Sequence, residues 1–170
     1  LIQIFPENSI NEIRKKSRIG WYNTGKTFFE LFKLNKIVQS KKITIEGEKN
    51  IKKLLKNNEK VIFVGIHQSN WEILLPSLDK LGFSVGGIYR HINNPYIDKL
   101  ILGIRNKSIL YSNSFYTPKG KQSAKDILEA IKKDISIVLL VDQKDSAGEI
   151  VNFFGYPSKT QVGFIKIARK

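Results

Sequence analysis

The sequence predicts a single α/β domain: a mostly parallel central sheet flanked by helices, here as an incomplete domain. Three observations predict it. Residues 61–66 and 136–141 are apolar almost throughout, the pattern of strands covered on both faces. Segments of helical period lie between the strand-like runs; in the clearest, 121–133, Ala124, Ile127, Leu128 and Ile131 share one face. Strands that alternate with helices of this length imply βαβ units. The 170 residues are enough for one hydrophobic core.

The elements follow in order. After Pro6, Ser9-Ile10-Asn11-Glu12 has capping-box form and opens a helix, which Gly20 is expected to interrupt. Trp21, Phe28, Phe29, Leu31, Phe32 and Leu34 then mark a second, aromatic helix, expected to pack on the core. Lys15, Lys16, Arg18, Lys26 and Lys33 around it leave a membrane interface as the alternative. Residues 43–45 alternate like a short strand ending at Gly47. Residues 48–57 read as a helix with Ile51, Leu54 and Leu55 on one face, and Asn57-Asn58 makes the turn into the apolar strand 61–66. The next helix spans 70–81, with Pro76 kinking it or starting a new turn. A strand at 84–89, a helix at 95–104, a short strand at 108–111, the helix at 121–133 and the strand at 136–141 complete the alternation. Residues 163–170 read as the beginning of a further helix.

In such sheets, sites form beyond the carboxyl ends of the strands. The strand 61–66 delivers His67 there, 84–89 delivers Arg90, and 136–141 delivers Asp142-Gln143. Histidine titrates near pH 6.5 as a residue type and can take and return a proton at neutral pH. A carboxylate on its other ring nitrogen fixes the tautomer, and Glu72, five residues on, is the candidate for that place. The alternatives are plain: a hydrogen-bonded structural histidine, a first-turn acid favoured by the helix dipole, and an aspartate that caps a turn.

Composition narrows the chemistry. There is no Cys, hence neither a disulfide nor a thiolate zinc site. Two histidines without a neighbouring acidic cluster make a metal-dependent hydrolase a poor fit, and no cofactor is implied. The net charge of +14 points to an anionic partner, although an A/T-rich codon bias toward Lys would supply part of it. The cations are spread along the chain, and no motif interleaving them with aromatics speaks for nucleic acid.

His67, four intervening residues and Glu72 match the His-x4-Asp/Glu motif of glycerolipid-type acyltransferases. More specifically, the chain resembles the late acyltransferases of lipid A biosynthesis, the lauroyl/myristoyl transferases. Further pieces agree in order and spacing: Phe5-Pro6-Glu7, Asn58-Glu59-Lys60-Val61-Ile62-Phe63, Tyr89-Arg90, Asn93-Asn94-Pro95, Arg105, Asp142-Gln143, Phe153-Phe154-Gly155, Thr160 and Gly163. The resemblance implies transfer of a fatty acyl chain from acyl carrier protein to a hydroxyl of a lipid A precursor, at the cytoplasmic face of the bacterial inner membrane. It makes 1–170 one acyltransferase domain fragment, without the family's N-terminal membrane anchor and the last part of its domain. His67 would be the general base and Glu72 its partner. Arg105 and Arg90 would bind phosphate or help the oxyanion, and Asp142 and Gln143 would orient the substrate or the basic residues. With no Cys and no serine at an elbow motif, direct transfer fits better than an acyl-enzyme. The positive charge suits an acidic carrier protein, a phosphorylated acceptor and an anionic membrane surface. The rivals are another lipid acceptor and a non-catalytic basic membrane- or nucleic-acid-binding module.

Overall fold

A computed structural model describes residues 1–169. The capping box forms as the sequence predicts: Glu12 N–H donates to Ser9 Oγ, and Glu12 Oε2 accepts from the Ser9 N–H at 2.8 Å. It opens helix α1, Ile10–Leu31. Gly20 does not interrupt α1, because one glycine inside 22 helical residues costs only about 1 kcal/mol and is carried by its neighbours. The chain breaks instead at Phe32-Lys33, and α2 follows as Leu34–Gln39. Residues 43–45 form no strand; Ile43 packs against the cluster of Leu31, Leu34, Val38 and Ile101.

The core is a four-stranded parallel sheet in the order β1-β4-β2-β3, with β1 Ile62–Gly65, β2 Val85–Tyr89, β3 Phe115–Pro118 and β4 Ser136–Leu140. Side chains alternate across it. Val85 and Val138 face Leu75 and Leu78 of α4 (Leu74–Lys80), where Ile51, Leu54 and Leu55 of α3 (Glu48–Lys56) add to the layer. Ile137 and Leu139 face the other way, onto Ile127 and Ala130 of α6 (Lys121–Lys132) and onto Phe164 and Ile167 of α7 (Gly163–Ala168). Helix α5, Pro95–Lys107, begins on an Asn94 cap whose side chain accepts from Tyr96 and Ile97 N–H. Pro76 lies in the first turn of α4, after a 3₁₀ turn at Trp71–Ile73, so the proline marks a restart of the helix.

Two further expectations fail for identifiable reasons. Residues 108–111 are not a strand. The carboxylate of Asp79, fully buried, accepts from the N–H groups of Leu110 at 2.8 Å and Tyr111 at 3.0 Å, and from Ser112 Oγ. Those amides are spent on a side chain, and the strand begins only at Phe115. The helix expected from residue 163 forms as α7, but between it and β4, where the sequence predicts no element, β5 (Lys144–Phe153) and β6 (Tyr156–Thr160) form an antiparallel hairpin. Its two-residue turn, Phe154-Gly155, has positive φ at both positions, +51° and +80°.

Candidate active site

The carboxyl ends of β1, β2 and β4 converge, and parallel pairing decides what meets there. Gly65 of β1 stands opposite Leu140 of β4. Two residues further along each strand, His67 meets Asp142. Asp142 Oδ1 lies 2.7 Å from His67 Nδ1, and its Oδ2 accepts the His67 backbone N–H at 2.8 Å. One carboxylate therefore fixes both the ring and the backbone of the histidine. An ionised carboxylate only accepts, so Nδ1 carries the hydrogen, and in the neutral imidazole Nε2 is the lone-pair nitrogen. Gln143 Nε2 lies 3.2 Å from that nitrogen and donates to it. Burial alone would raise the Asp142 carboxyl; the hydrogen bonds from the His67 ring and backbone outweigh it and hold the group below the usual aspartate range.

Glu72 does not serve His67. Its two oxygens take Arg105 Nε at 2.8 Å and Nη2 at 2.6 Å, a bidentate pair. Both side chains are largely buried, Arg105 15% and Glu72 10% exposed. The Arg105 guanidinium lies 5.7 Å from the Tyr89 ring centroid and 5.8 Å from that of Tyr116. Burial opposes its charge, but the bonds and charge of Glu72 prevail and raise its pKa above the ordinary arginine value. Arg105 is thus a fixed cation whose Nη1 donors are not committed to Glu72. Burial pushes the Tyr116 phenol well above its ordinary value, so this hydroxyl stays a donor.

The loop carrying these groups is tied from outside. Ser69, at φ +53°, offers its carbonyl to Thr27 Oγ1 of α1 at 3.0 Å. Asn70 Nδ2 donates to Glu30 Oε2, also on α1, at 2.8 Å, and Asn70 Oδ1 accepts the Glu72 N–H. Trp71 sets its ring edge-on to His67, the centroids 5.1 Å apart. His67, Glu72, Arg90, Arg105 and Gln143 all line one cavity of about 450 Å³. Its polar wall includes Lys119, whose N–H donates to Tyr89 O at 2.7 Å and which therefore emerges beside Arg90. Its apolar wall includes Leu74, Leu75, Val138 and Leu139. Gly87 lies in that wall, and a Cβ there would meet Leu75 Cδ1 at 2.6 Å. Among the described residues, no three His, Asp or Glu side chains gather as metal ligands would.

Of the sequence-derived residues, the structure brings His67, Asp142 and Gln143 into direct contact. Glu72 and Arg105 form a second pair, and Arg90 stands exposed at the rim. Tyr116, Trp71 and Lys119 went unread. Tyr116 carried one signal: it lies in the segment preceding the 121–133 helix, where a βαβ unit requires a strand. Chemically, the cavity joins a positioned base, a fixed cation and an apolar wall, which suits proton removal beside a polarised carbonyl that carries a hydrocarbon chain. A family model described as bacterial lipid A biosynthesis acyltransferase matches residues 1–170. A search of curated proteins finds no match.

Proposed function

The chain belongs to the bacterial lipid A biosynthesis acyltransferase family, and from that membership we propose that it moves a fatty acyl chain from acyl carrier protein to a hydroxyl of a lipid A precursor, at the cytoplasmic face of the inner membrane. The observation that carries the mechanism is the His67–Asp142 contact at the cavity. In this reading the acceptor hydroxyl displaces Gln143 from His67 Nε2 and gives that nitrogen its proton as its oxygen attacks the thioester carbonyl. The C–S bond then breaks, and the imidazolium returns the proton to the departing thiolate. Asp142 stabilises the imidazolium and keeps the ring oriented. Arg105, held by Glu72, presents its remaining N–H donors to the carbonyl oxygen as charge develops there. Glu72 thus acts through Arg105 rather than through His67. Arg90 and Lys119 at the rim suit a phosphate. The chain contains no cysteine, which favours direct transfer over a thioester-linked acyl-enzyme. The net charge of +14 supports fast encounter with an acidic carrier, a phosphorylated acceptor and an anionic membrane.

The test is incubation with acyl–acyl carrier protein and a tetra-acylated, Kdo-bearing lipid A precursor, read by mass spectrometry. A gain of one acyl chain, abolished by His67→Ala, is expected. A gain that survives His67→Ala overturns the mechanism. No gain with any acyl length overturns the acceptor and directs the search to other lipid hydroxyls.

A further inference from the structure

Helix α1 carries an apolar surface that is exposed among the described residues. Trp21 is 76% exposed, Tyr22 73%, Phe28 53% and Phe29 79%, and Phe32 just past the helix is 61% exposed. Trp21 and Phe28 are seven residues apart, as are Tyr22 and Phe29, so each couple lies two turns apart on one line. The two lines stand about 100° apart around the helix. The opposite side carries the buried Thr27 and Leu31. Of the stripe expected to pack on the core, Leu31 and Leu34 do so, whereas the four aromatic residues Trp21, Phe28, Phe29 and Phe32 face outward. The first half of the helix continues the outer surface with Arg14, Lys15 and Arg18, and all three are exposed.

We infer that the outer face of α1 is the surface by which the protein lies on an anionic lipid bilayer, its aromatic half entering the headgroup region and its basic half meeting the lipid charge. The inference rests on the acyltransferase reading for its direction, since a lipid acceptor has to be reached where its chains are buried. Helix α1 itself would lie along the membrane, since no described helix is long and apolar enough to cross one. An apolar face flanked by cations is the pattern of an interfacial helix. A second copy of the chain is the poorer occupant, because two such faces would bring their cations together. The two carboxylates of α1 are engaged elsewhere: Glu12 holds the Ser9 cap, and Glu30 accepts from Asn70 and pairs with Lys26. The position also serves the chemistry. Thr27 and Glu30, the residues that hold Ser69 and Asn70, lie on the same turn as Phe28 and Phe29. A bilayer touching Phe28 and Phe29 would therefore lie across the width of α1, about 10 Å, from the loop that carries His67 and Glu72.

The experiment is co-sedimentation of the purified protein with vesicles of phosphatidylethanolamine and phosphatidylglycerol, against vesicles of phosphatidylcholine alone. No donor or acceptor is present, so the outcome is independent of the acyl-transfer assay and each reading fails separately. Binding to the anionic vesicles is expected. Phe28→Ser with Phe29→Ser should weaken it by about thirtyfold or more. Arg14→Gln with Arg18→Gln should weaken it mainly through loss of the preference for phosphatidylglycerol. In a Trp71→Phe background, which leaves Trp21 as the single tryptophan, brominated lipid should quench the fluorescence. Unchanged binding by the Phe28/Phe29 variant, or an unquenched Trp21, overturns the inference. So does a dimer that the Phe28/Phe29 substitutions dissociate while vesicle binding persists.

Discussion

Replacing Asp142 by asparagine separates the two carboxylates of the site. Asp142 accepts two hydrogen bonds from His67, one from the ring and one from the backbone. An asparagine has one acceptor oxygen and one donor group. If the oxygen keeps the backbone N–H, the amide faces Nδ1 and forces the hydrogen onto Nε2, the nitrogen that must accept the substrate proton. If the oxygen keeps Nδ1, the backbone N–H is left facing an N–H. The first arrangement removes the base, and the expected loss in kcat is the general-base contribution, about 10²–10⁴-fold. The structural cost is smaller, since the site is partly open to water: roughly 1–2 kcal/mol for one charge-assisted bond. At this size that lowers Tm by about 2–8 °C. The assay is steady-state acyl transfer together with a thermal melt. A folded Asp142→Asn variant that keeps kcat within threefold refutes the role given to the His67–Asp142 contact. A loss confined to KM refutes it equally.

The other carboxylate predicts the opposite balance. Glu72→Ala leaves the Arg105 guanidinium buried and unpaired, a loss of about 3–5 kcal/mol, so calorimetry should show Tm lower by about 6–20 °C; Glu72→Gln, which keeps one acceptor, should cost about half as much. Because Asp142 is held below its ordinary range, it contributes stability that is present above about pH 4 and lost as pH falls through the lowered value; acid titration of the fold should show this component in the wild type and not in Asp142→Asn. Gly87→Ala places a methyl against Leu75 in the cavity wall; it should cost about 1–3 kcal/mol in denaturant melts and shift acyl preference toward shorter chains in competition between donors.

The layered fold is legible because strands buried on both faces must be apolar throughout, and residues 61–66 and 136–141 are. The site is half legible for the same reason: those strands end at the only residues on them able to do acid–base chemistry. What misleads is proximity in sequence. Glu72 is five residues from His67, but the 3₁₀ turn at Trp71–Ile73 directs it to Arg105. Asp142 is 75 residues away, and the β1–β4 register brings it opposite His67. Strand order is a property of the whole sheet and cannot be read from either strand. The missed elements share this character. A local apolar run at 108–111 is overruled by the distant Asp79, and the hairpin after β4 hides behind a Phe-Gly turn in which only the glycine carries the usual signature.

The strand order β1-β4-β2-β3 also sets a timetable for synthesis. Strand β4 is the last of the four to be made, yet it lies between the first two. Until it arrives, the inner edges of β1 and β2 have no partner, and His67 has no carboxylate. At about 5–20 residues per second, the 75 residues from His67 to Asp142 take roughly 4–15 s to emerge, long compared with the microseconds in which the early helices form. During that interval the nascent chain exposes two apolar strand edges, the kind of surface on which chaperones act. A chain stalled before residue 136 would hold β1, β2 and β3 but neither the strand that joins β1 to the sheet nor the carboxylate that holds His67.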